Sequence, residues 1–223
     1  MREKMENLEV ERILAGAMRT NCYIVSDKVT KEALIIDPAD EADKIKNHLL
    51  QGKKRPIAIL LTHGHFDHIK AAKELKKEYD IKIYCMEEER KVLENPEYNL
   101  SSLFGTGFRV SADSFLKDGE QMQIGPFFIT TIHTPGHTVG SACYYVTDAD
   151  KTKGILMSGD TLFHESVGRT DFPTGSASSL VRSVKEKLFC LDDSTPVYPG
   201  HDNFTTIGYE KQNNSCVGGE MGL

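Results

Sequence analysis

A dense group of metal-binding side chains is the feature that most restricts what this chain can fold into. Residues 63–68 read His-Gly-His-Phe-Asp-His and directly follow the largely apolar run 57–62, in which 57–61 is typical of a buried strand. Imidazole nitrogens and a carboxylate oxygen suit zinc, iron or manganese, and the lack of a thiolate in the group argues against a closed structural zinc site. The group therefore predicts metal-assisted chemistry, with these candidate ligands: His63, His65, Asp67 and His68.

Length and composition predict one globular domain over residues 1–223. The chain is 39% hydrophobic and 27% charged, without a low-complexity tract or a repeat of fixed period. Its formal net charge of −6 argues against nucleic-acid and anionic-membrane partners, and its longest apolar runs are too short to cross a bilayer. We therefore expect a small-molecule substrate, and the sequence makes no prediction of the oligomeric state.

The cysteines and the N-terminal residues predict a cytoplasmic protein. The opening residues 1–6 are charged, and no apolar segment of a signal peptide follows them. The five cysteines are scattered without a C-x-x-C pair, which fits reduced thiols. These cysteines are Cys22, Cys85, Cys143, Cys190 and Cys216.

Apolar periodicity predicts strands followed by helices in each half of the chain. Residues 95–112 have no periodicity and are expected to form a mobile surface loop beside the site. This pattern predicts an α/β fold in which two sheets are covered by helices. The expected strands are 8–14, 20–26, 33–37, 57–61, 81–84, 121–124, 127–132, 141–146, 154–158 and 195–198, and the expected helices are 40–50, one from within the histidine cluster to residue 79, 86–93, 176–188 and 206–213.

Three further candidate ligands lie in turns that follow predicted strands. His137 lies in Thr-Pro-Gly-His-Thr, Asp160 in Ser-Gly-Asp-Thr, and His201 in Pro-Gly-His-Asp. Turns held by strand ends suit a metal site, because the sheet fixes the position of the ligands. The remaining histidines are expected to have structural or surface roles, and these are His48, His133 and His164.

These motifs, in this order, resemble the metallo-β-lactamase superfamily, whose H-x-H-x-D-H signature residues 63–68 match. The resemblance extends over residues 21–211 and implies a four-layer αββα sandwich of two mixed sheets. It also implies two divalent metal ions, zinc first, with iron or manganese as alternatives. In that family pattern His63, His65 and His137 hold one metal, Asp67, His68 and His201 hold the second, and Asp160 bridges them.

The charge of such a site favours hydrolysis. Two divalent ions bring four positive charges, of which Asp67, Asp160 and a bridging hydroxide remove three. The surplus lowers the pKa of a bound water from near 16 to roughly 7, and it stabilises an oxyanion on an attacked carbonyl. We expect a metal-bound hydroxide as the nucleophile, with Asp67 as the catalytic residue that orients it. A purely structural site fits less well, since structural zinc sites are usually cysteine-rich.

Two segments resemble the short, bacterial glyoxalase II-like hydrolases, which cleave glutathione thioesters such as S-lactoylglutathione. They are Gly-Arg-Thr-Asp-Phe at residues 168–172 and the ending 205–211. The chain stops soon after Lys211, so an added C-terminal helical substrate domain is not expected. Arg169 is the candidate substrate-binding residue, because a guanidinium matches a carboxylate. An internal ion pair with Asp171 is the alternative.

A different reaction class stays open. Persulfide dioxygenases also carry a G-R-T-D-F segment and use one iron, whose ligands would map to His63, His137 and Asp160. Their G-H-D-Y segment is matched here except that Asn203 replaces the tyrosine, whereas the short glyoxalase-like group usually has glycine in place of Asp202. Hydrolysis of another ester or an amide is a further alternative. A non-enzymatic member would lack ligands, and none is missing.

Overall fold

The computed structural model describes residues 7–105, 107–149 and 153–217, so the predicted character of residues 1–6 lies outside the described residues. The first half forms a six-stranded mixed sheet, in which β1, β2 and β3 are antiparallel and β3 to β6 run parallel. Its strands, in sheet order, are β1 (Leu8–Ala15), β2 (Thr20–Asp27), β3 (Glu32–Ile36), β4 (Arg55–Leu60), β5 (Lys82–Met86) and β6 (Ser114–Leu116).

The second half forms another six-stranded mixed sheet and a short hairpin. The only parallel pair in the described part of this sheet is β10 with β13. The strands are β7 (Gln121–Ile124), β8 (Phe127–His133), β9 (Ala142–Thr147), β10 (Gly154–Gly159), β13 (Pro196–Pro199) and β14 (Thr205–Thr206), in the order β14-β13-β10-β9-β8-β7, and the hairpin pairs β11 (Leu162–Phe163) with β12 (Ser166–Val167).

Helices cover the outer face of each sheet. The α-helices are α1 (Ala42–Gln51), α2 (Phe66–Ile69), α3 (Ala72–Tyr79), α4 (Arg90–Leu93), α5 (Ala177–Glu186) and α6 (Ile207–Asn213), and the 3-10 turns are Glu87–Glu89, Ser101–Phe104 and Leu188–Cys190. In the described part of the chain, no helix has the length and apolar content that crossing a membrane requires.

Three apolar layers hold this arrangement together. Leu34 and Leu60 of the first sheet pack with Phe127 of the second, so the inner faces of the sheets meet. The alternate side chains of β3 and β4 pack against α1 and α3, and α5 and α6 cover the outer face of the second sheet. Since side chains alternate across a strand, each strand contributes side chains to two apolar layers. The predicted αββα sandwich is confirmed.

Two predicted elements differ from the structure for local reasons. The helix expected to run up to residue 79 is split into α2 and α3, because the N–H of Ala71 donates to the carbonyls of Pro38 and Ala39 instead of continuing a helix. The loop at 95–112 contains a 3-10 turn and is anchored by buried Asn99, whose Nδ2 donates to the carbonyl of Phe108 at 2.9 Å. The single domain over residues 1–223 stays a prediction.

Candidate metal centre

All seven predicted ligands come together at one end of the two sheets. The first four follow β4 and lead into α2, while Asp160 follows β10 and His201 follows β13. His137 lies in the loop between β8 and β9. Strand ends of both sheets therefore hold the ligands, as the sequence predicted for turns of this kind.

Three imidazoles form the first group. The Nδ1 atom of His65 lies 2.9 Å from Nε2 of His137, and that same Nε2 lies 3.2 Å from Nε2 of His63. All three side chains are buried. Three ring nitrogens that lie within 4.8 Å of one another offer three ligands to one ion.

Asp67, His68 and His201 form the second group, and Asp160 lies between the two groups. Oδ2 of Asp67 is 3.4 Å from Nε2 of His201 and 3.7 Å from Nε2 of His68. Oδ1 of Asp160 is 3.4 Å from Nε2 of His68, whereas its Oδ2 is 3.5 Å from Nε2 of His137. One carboxylate thus faces a ligand of each group, which is the position of a bridge.

Buried polar atoms without partners show that the residues fit metal ions. Nε2 of His68 and Oδ1 of Asp160 are buried, and neither has a hydrogen-bond partner among the described residues. A buried polar atom left in this way costs roughly 1–3 kcal/mol. A cation between them would satisfy both atoms. The cluster therefore suits a pair of divalent metal ions.

The outer ring nitrogens of three histidines are held by hydrogen bonds. Nδ1 of His137 donates to the carbonyl of Arg169 at 2.7 Å, and Nδ1 of His68 donates to Asp37 at 3.0 Å. Nδ1 of His63 lies 3.2 Å from Oγ1 of Thr62. The first two bonds place a hydrogen on Nδ1, and the Thr62 hydroxyl, which donates its own hydrogen to Asp37, can accept one from Nδ1 of His63. The Nε2 lone pairs are then available to the centre.

Asp37 supports the site, and sequence reasoning treated it only as the end of a strand. It is 2% exposed and accepts hydrogen bonds from N and Oγ1 of Thr62, at 2.8 and 2.6 Å. Together with the bond to His68, these contacts fix the strand end that carries His63. The sequence does contain one indication of this role: Asp37 directly follows β3, and the predicted ligands also follow strands.

Glu89 is a second supporting carboxylate that sequence reasoning missed. It is fully buried, and it accepts hydrogen bonds at 2.8 Å from N of Gly64, N of Gly140 and Oγ1 of Thr138. It therefore joins the loop of the first histidines to the loop of His137. Burial raises its pKa from 4.5 to about 7, although these donors lower it. Nothing distinguishes it locally from the neighbouring Glu87 and Glu88.

The electrostatics of the cluster favour neutral imidazoles in the first group. Burial, and then repulsion from neighbouring imidazoles, lowers the pKa of His63 and His65 well below the usual value. Burial alone would also lower the pKa of His68, but Asp160 and Asp67 raise it to about 10. The second group thus attracts positive charge, whether carried by a proton or by a metal ion.

The loop of His201 is held by a strand of the opposite sheet. Asn21 in β2 donates from its backbone N to the carbonyl of Gly200 at 2.7 Å, and from Nδ2 to the carbonyls of Pro199 and Asp202 at 2.9 and 3.0 Å. The hydroxyl of Tyr23 donates to the carbonyl of Pro199 at 2.8 Å. Two residues of the first sheet therefore set the position of a candidate ligand from the second.

Asp202 has a left-handed backbone, with φ of +63°. Glycine adopts this region most readily, and aspartate tolerates it better than most residues do. The left-handed backbone at this position is therefore compatible with aspartate and would suit glycine as well. The Asp202 carbonyl also accepts a hydrogen bond from Arg12 at 3.0 Å.

The Arg169 side chain has its partner within the chain. Its Nε and Nη2 donate to the two carboxylate oxygens of Asp171, both at 2.7 Å, and the guanidinium lies 3.9 Å from the ring centroid of Phe172. The alternative of an internal ion pair matches this geometry, and contact with substrate stays a prediction.

The three histidines outside the motifs lie away from the ligand atoms. Nε2 of His133 is 3.0 Å from the carbonyl of Val139, so this ring supports the loop of His137. His164 stacks on Tyr209, and His48 lies 3.2 Å from Glu11.

Two curated relatives match nearly the whole chain. The probable metallo-hydrolase YqgX of Bacillus subtilis is 37% identical over 212 residues, which is 93% of this chain and 97% of the relative. The hydroxyacylglutathione hydrolase GloC of Haemophilus influenzae is 34% identical over 213 residues, again 93% of this chain and 97% of the relative.

Solved structures show the same fold. The B3 metallo-beta-lactamase BLEG-1 has a TM-score of 0.87 and 37% identity, with 95% of this chain and 100% of that chain covered. TTHA1623 in a di-iron-bound form has a TM-score of 0.79 and 30% identity, with 92% and 98% covered. ETHE1 from Myxococcus xanthus has a TM-score of 0.74 and 27% identity, with 94% and 84% covered.

The chain also matches the sequence model of a protein family. The model of the metallo-beta-lactamase superfamily matches residues 15–201. This match runs through both sheets and through every turn that carries a candidate ligand, so it does not depend on one motif. The chain belongs to the metallo-β-lactamase superfamily.

Proposed function

We propose that this chain is a binuclear metallo-hydrolase that cleaves thioesters of glutathione, with S-lactoylglutathione as the reference substrate. The observation that carries the proposal is the pair of ligand groups that Asp160 connects, together with the buried unpartnered atoms Oδ1 of Asp160 and Nε2 of His68, which lie 3.4 Å apart. Similarity to GloC, a hydroxyacylglutathione hydrolase, supports the thioester. The proposed ligands are His63, His65, Asp67, His68, His137, Asp160 and His201, and zinc is the proposed metal.

Metal ions and protein side chains have separate tasks in this proposal. When bound, two divalent ions lower the pKa of a water molecule to roughly 7 and stabilise negative charge on the substrate carbonyl oxygen. Asp67 accepts a hydrogen bond from that water and orients it. Oγ1 of Thr20 donates to Oδ2 of Asp67 at 2.9 Å and so fixes the carboxylate.

The reaction balances without an oxidant. The water oxygen forms a bond to the acyl carbon, and the carbon–sulfur bond breaks with its electron pair on sulfur. The proton that the water loses is transferred to the thiolate, so the products are a carboxylic acid and a thiol. The Arg169 guanidinium is the proposed contact for a substrate carboxylate, which would replace Asp171 in the ion pair.

A persulfide dioxygenase is the second candidate function. The similarity to ETHE1 favours it, and so does the approach of His63, His137 and Asp160 to one another, at 3.2 and 3.5 Å. These residues match the single-iron set of that group. This candidate reaction differs from thioester hydrolysis because it consumes oxygen.

The similarity to BLEG-1, a B3 metallo-beta-lactamase, favours a third substrate class, an amide. An amide nitrogen is a poorer leaving group than a thiolate, so the same residues would need to protonate it. A β-lactam is the appropriate probe for this candidate.

One set of assays on the purified protein separates the three candidates. Metal content per chain is measured first, followed by hydrolysis of S-lactoylglutathione, oxygen uptake with glutathione persulfide, and hydrolysis of a chromogenic cephalosporin. We expect two metal ions per chain and thioester cleavage as the fastest reaction. One iron per chain with oxygen uptake and no thioester cleavage would overturn the proposal.

The proposed compartment is the cytoplasm. All five cysteines lie in the described residues, and all five are free thiols, of which Cys190 and Cys216 are exposed. Exposed thiols persist in reducing surroundings. Fractionation of the source cells, followed by immunodetection of the chain, tests this proposal.

A further inference from the structure

An apolar cavity lies beside the candidate metal centre, on the side of Asp67. Its volume is about 300 Å³, and it lies between the turn that joins β1 to β2 and the loop that contains Ser101–Phe104. Asp67 belongs both to the wall of this cavity and to the second group of candidate ligands. A substrate whose reacting bond lies at the metal centre can therefore extend one arm into the cavity.

Four large apolar side chains line the cavity. Met18 lies on one side, and Phe66, Phe104 and Phe108 lie on the other. The rings of Phe66 and Phe104 pack with their centroids 4.5 Å apart, yet Phe104 is 66% exposed and Met18 is 52% exposed. Large apolar side chains that stay in water around one cavity mark a binding surface, and methionine adapts to apolar ligands of different shape.

The charged groups of the cavity already have partners. Nζ of Lys70 donates to Asp40 at 2.6 Å, and Oγ1 of Thr20 donates to Asp67. Lys70 is the only cation among the described lining residues, so these residues offer no free cation to a ligand carboxylate. The glutathione arm of a thioester carries two carboxylates and an ammonium, and burying such charges without partners is costly.

Charged side chains lie on the other side of the site. The ring of His65 is 6.0 Å from the ring of Phe172, on which the guanidinium of Arg169 rests. The side chains of Arg169 and Asp171 are 58% and 65% exposed. This side presents an exposed ion pair whose guanidinium is the proposed contact for a substrate carboxylate, whereas the cavity presents mostly hydrocarbon.

We infer that the cavity binds the acyl arm of the thioester and selects apolar acyl groups larger than lactoyl. The glutathione arm then extends toward Arg169 and Phe172. The inference rests on the proposed thioesterase function and names its substrate class. A lactoyl group has three carbons and a hydroxyl, so it fills only a small part of a volume equal to about ten water molecules.

A series of thioesters tests the inference. The specificity constant kcat/KM is measured for S-acetyl-, S-lactoyl- and S-hexanoylglutathione. Each methylene buried in full contributes about fourfold. We therefore expect S-hexanoylglutathione to exceed S-acetylglutathione by about tenfold or more, even with partial burial.

Substitutions at two neighbouring positions test whether the cavity is the source of the selectivity for the acyl group. Phe104→Ser removes a cavity wall, and it should lower the ratio of hexanoyl to lactoyl kcat/KM by about tenfold. Leu103→Ser is the matched control, because Leu103 is 65% exposed and is not part of the cavity wall. Leu103→Ser should leave that ratio unchanged. Thermal unfolding of both variants checks that the fold is retained.

The methyl resonance of Met18 gives a readout that does not depend on turnover. The zinc-loaded full chain, labelled with [13C]methyl-methionine, is titrated with hexan-1-ol. We expect the Met18 signal to shift in the wild type and in Leu103→Ser, and to shift much less in Phe104→Ser. A Met18 signal that stays in place in the wild type contradicts the inference.

The failures of the two proposals are distinguishable. If no thioester is hydrolysed, the proposed function is wrong. If thioesters are hydrolysed with equal kcat/KM for acetyl and hexanoyl groups, or if both variants lose selectivity to the same degree, the cavity is not the acyl site and the thioesterase proposal remains.

Discussion

Glu89 is a buried acid whose charge state depends on folding. Burial raises its pKa from 4.5 to about 7, so between these pH values the folded chain holds a proton that the unfolded chain has released. By linkage, Glu89 stabilises the fold fully below pH 4.5, and this contribution is lost as the pH rises to 7. We expect the wild type to lose roughly 3 kcal/mol of unfolding free energy across this range relative to Glu89→Gln.

Denaturant unfolding of both proteins at several pH values measures this difference. The candidate ligand histidines also titrate, but they do so in both proteins and cancel in the comparison. Curves that stay parallel between pH 4.5 and 7 contradict the prediction. The variant also tests whether the three hydrogen bonds to Glu89 hold the two ligand loops together.

His65→Ala is the substitution that separates metal binding from folding. Nε2 of His65 has no hydrogen-bond partner among the described residues, so the substitution removes a proposed ligand and few other bonds. We expect metal content to fall and turnover to decrease by roughly 100-fold or more, with little change in the melting temperature of the metal-free protein. His164→Ala is the control, since His164 stacks on Tyr209 away from the ligand atoms. Turnover at the wild-type rate in His65→Ala would show that an ion held by the first group is not needed for the reaction.

The seven candidate ligands were predictable from the sequence, and two of their supporting residues were not. The ligands share a visible signal, which is a histidine or aspartate in a turn after an apolar run. Asp37 has that same signal, but it was expected only as the last residue of the strand 33–37. Glu89 has no such signal, because it lies in the charge run 87–90, which looks like a solvated face. Its burial depends on contacts with residues about 25 and 50 positions away.

Helix α5 rests directly on the loop that carries His137. Gly136 has φ of +147°, and a Cβ atom there would lie 2.4 Å from the backbone of Leu180. Gly136→Ala should therefore push α5 away from the loop and lower the unfolding free energy by about 2–4 kcal/mol. Activity should fall with it, because the same shift moves His137.

Gly119→Ala is the matched control for the steric part of this effect. Gly119 also has positive φ, at +74°, but no atom lies within 4 Å of an added Cβ. Gly119→Ala should lower the unfolding free energy only by the backbone strain, about 1–2 kcal/mol, and it should leave activity unchanged. Chemical denaturation of the two variants gives the comparison. Equal losses would show that contact with α5 contributes nothing.

Short strands were the elements that the sequence did not reveal. The strands β11, β12 and β14 have two residues each, and β6 has three. Two or three residues cannot show an alternation of apolar and polar side chains, so their pairing depends on the longer strands beside them. The division between α2 and α3 was equally hidden, since it arises from bonds between Ala71 and the carbonyls of residues 38 and 39.

Removal of metal should destabilise the whole molecule. If metal is held at about 1,000 times its dissociation constant, binding adds roughly 4 kcal/mol to the unfolding free energy. For a chain of this size, that corresponds to a fall in Tm of about 10 °C on chelation. Calorimetry with and without chelator measures the shift, and adding back zinc, iron or manganese separately shows which ion restores it. Superimposable transitions would contradict a tightly bound pair of ions.

At the scale of the molecule, the alternation of strands and helices was enough to predict two sheets covered by helices. Periodicity cannot show which strands are neighbours or how the sheets face each other, and the αββα arrangement came from the resemblance of four motifs. The contacts between Phe127 and the side chains of β3 and β4 explain why this arrangement is stable.

The hydrogen bonds from Asn21 and Tyr23 to the turn of His201 make the position of a candidate ligand depend on contact between the two halves of the chain. The amino-terminal half supplies four candidate ligands and the carboxyl-terminal half supplies three. The first group takes His137 from the carboxyl-terminal half, and the second group takes His201 from it. Because such sites rarely exist in an unfolded chain, we expect capture of the proposed ions to follow the docking of the halves during biogenesis. A nascent chain released before residue 201 is made would lack one candidate ligand of the second group.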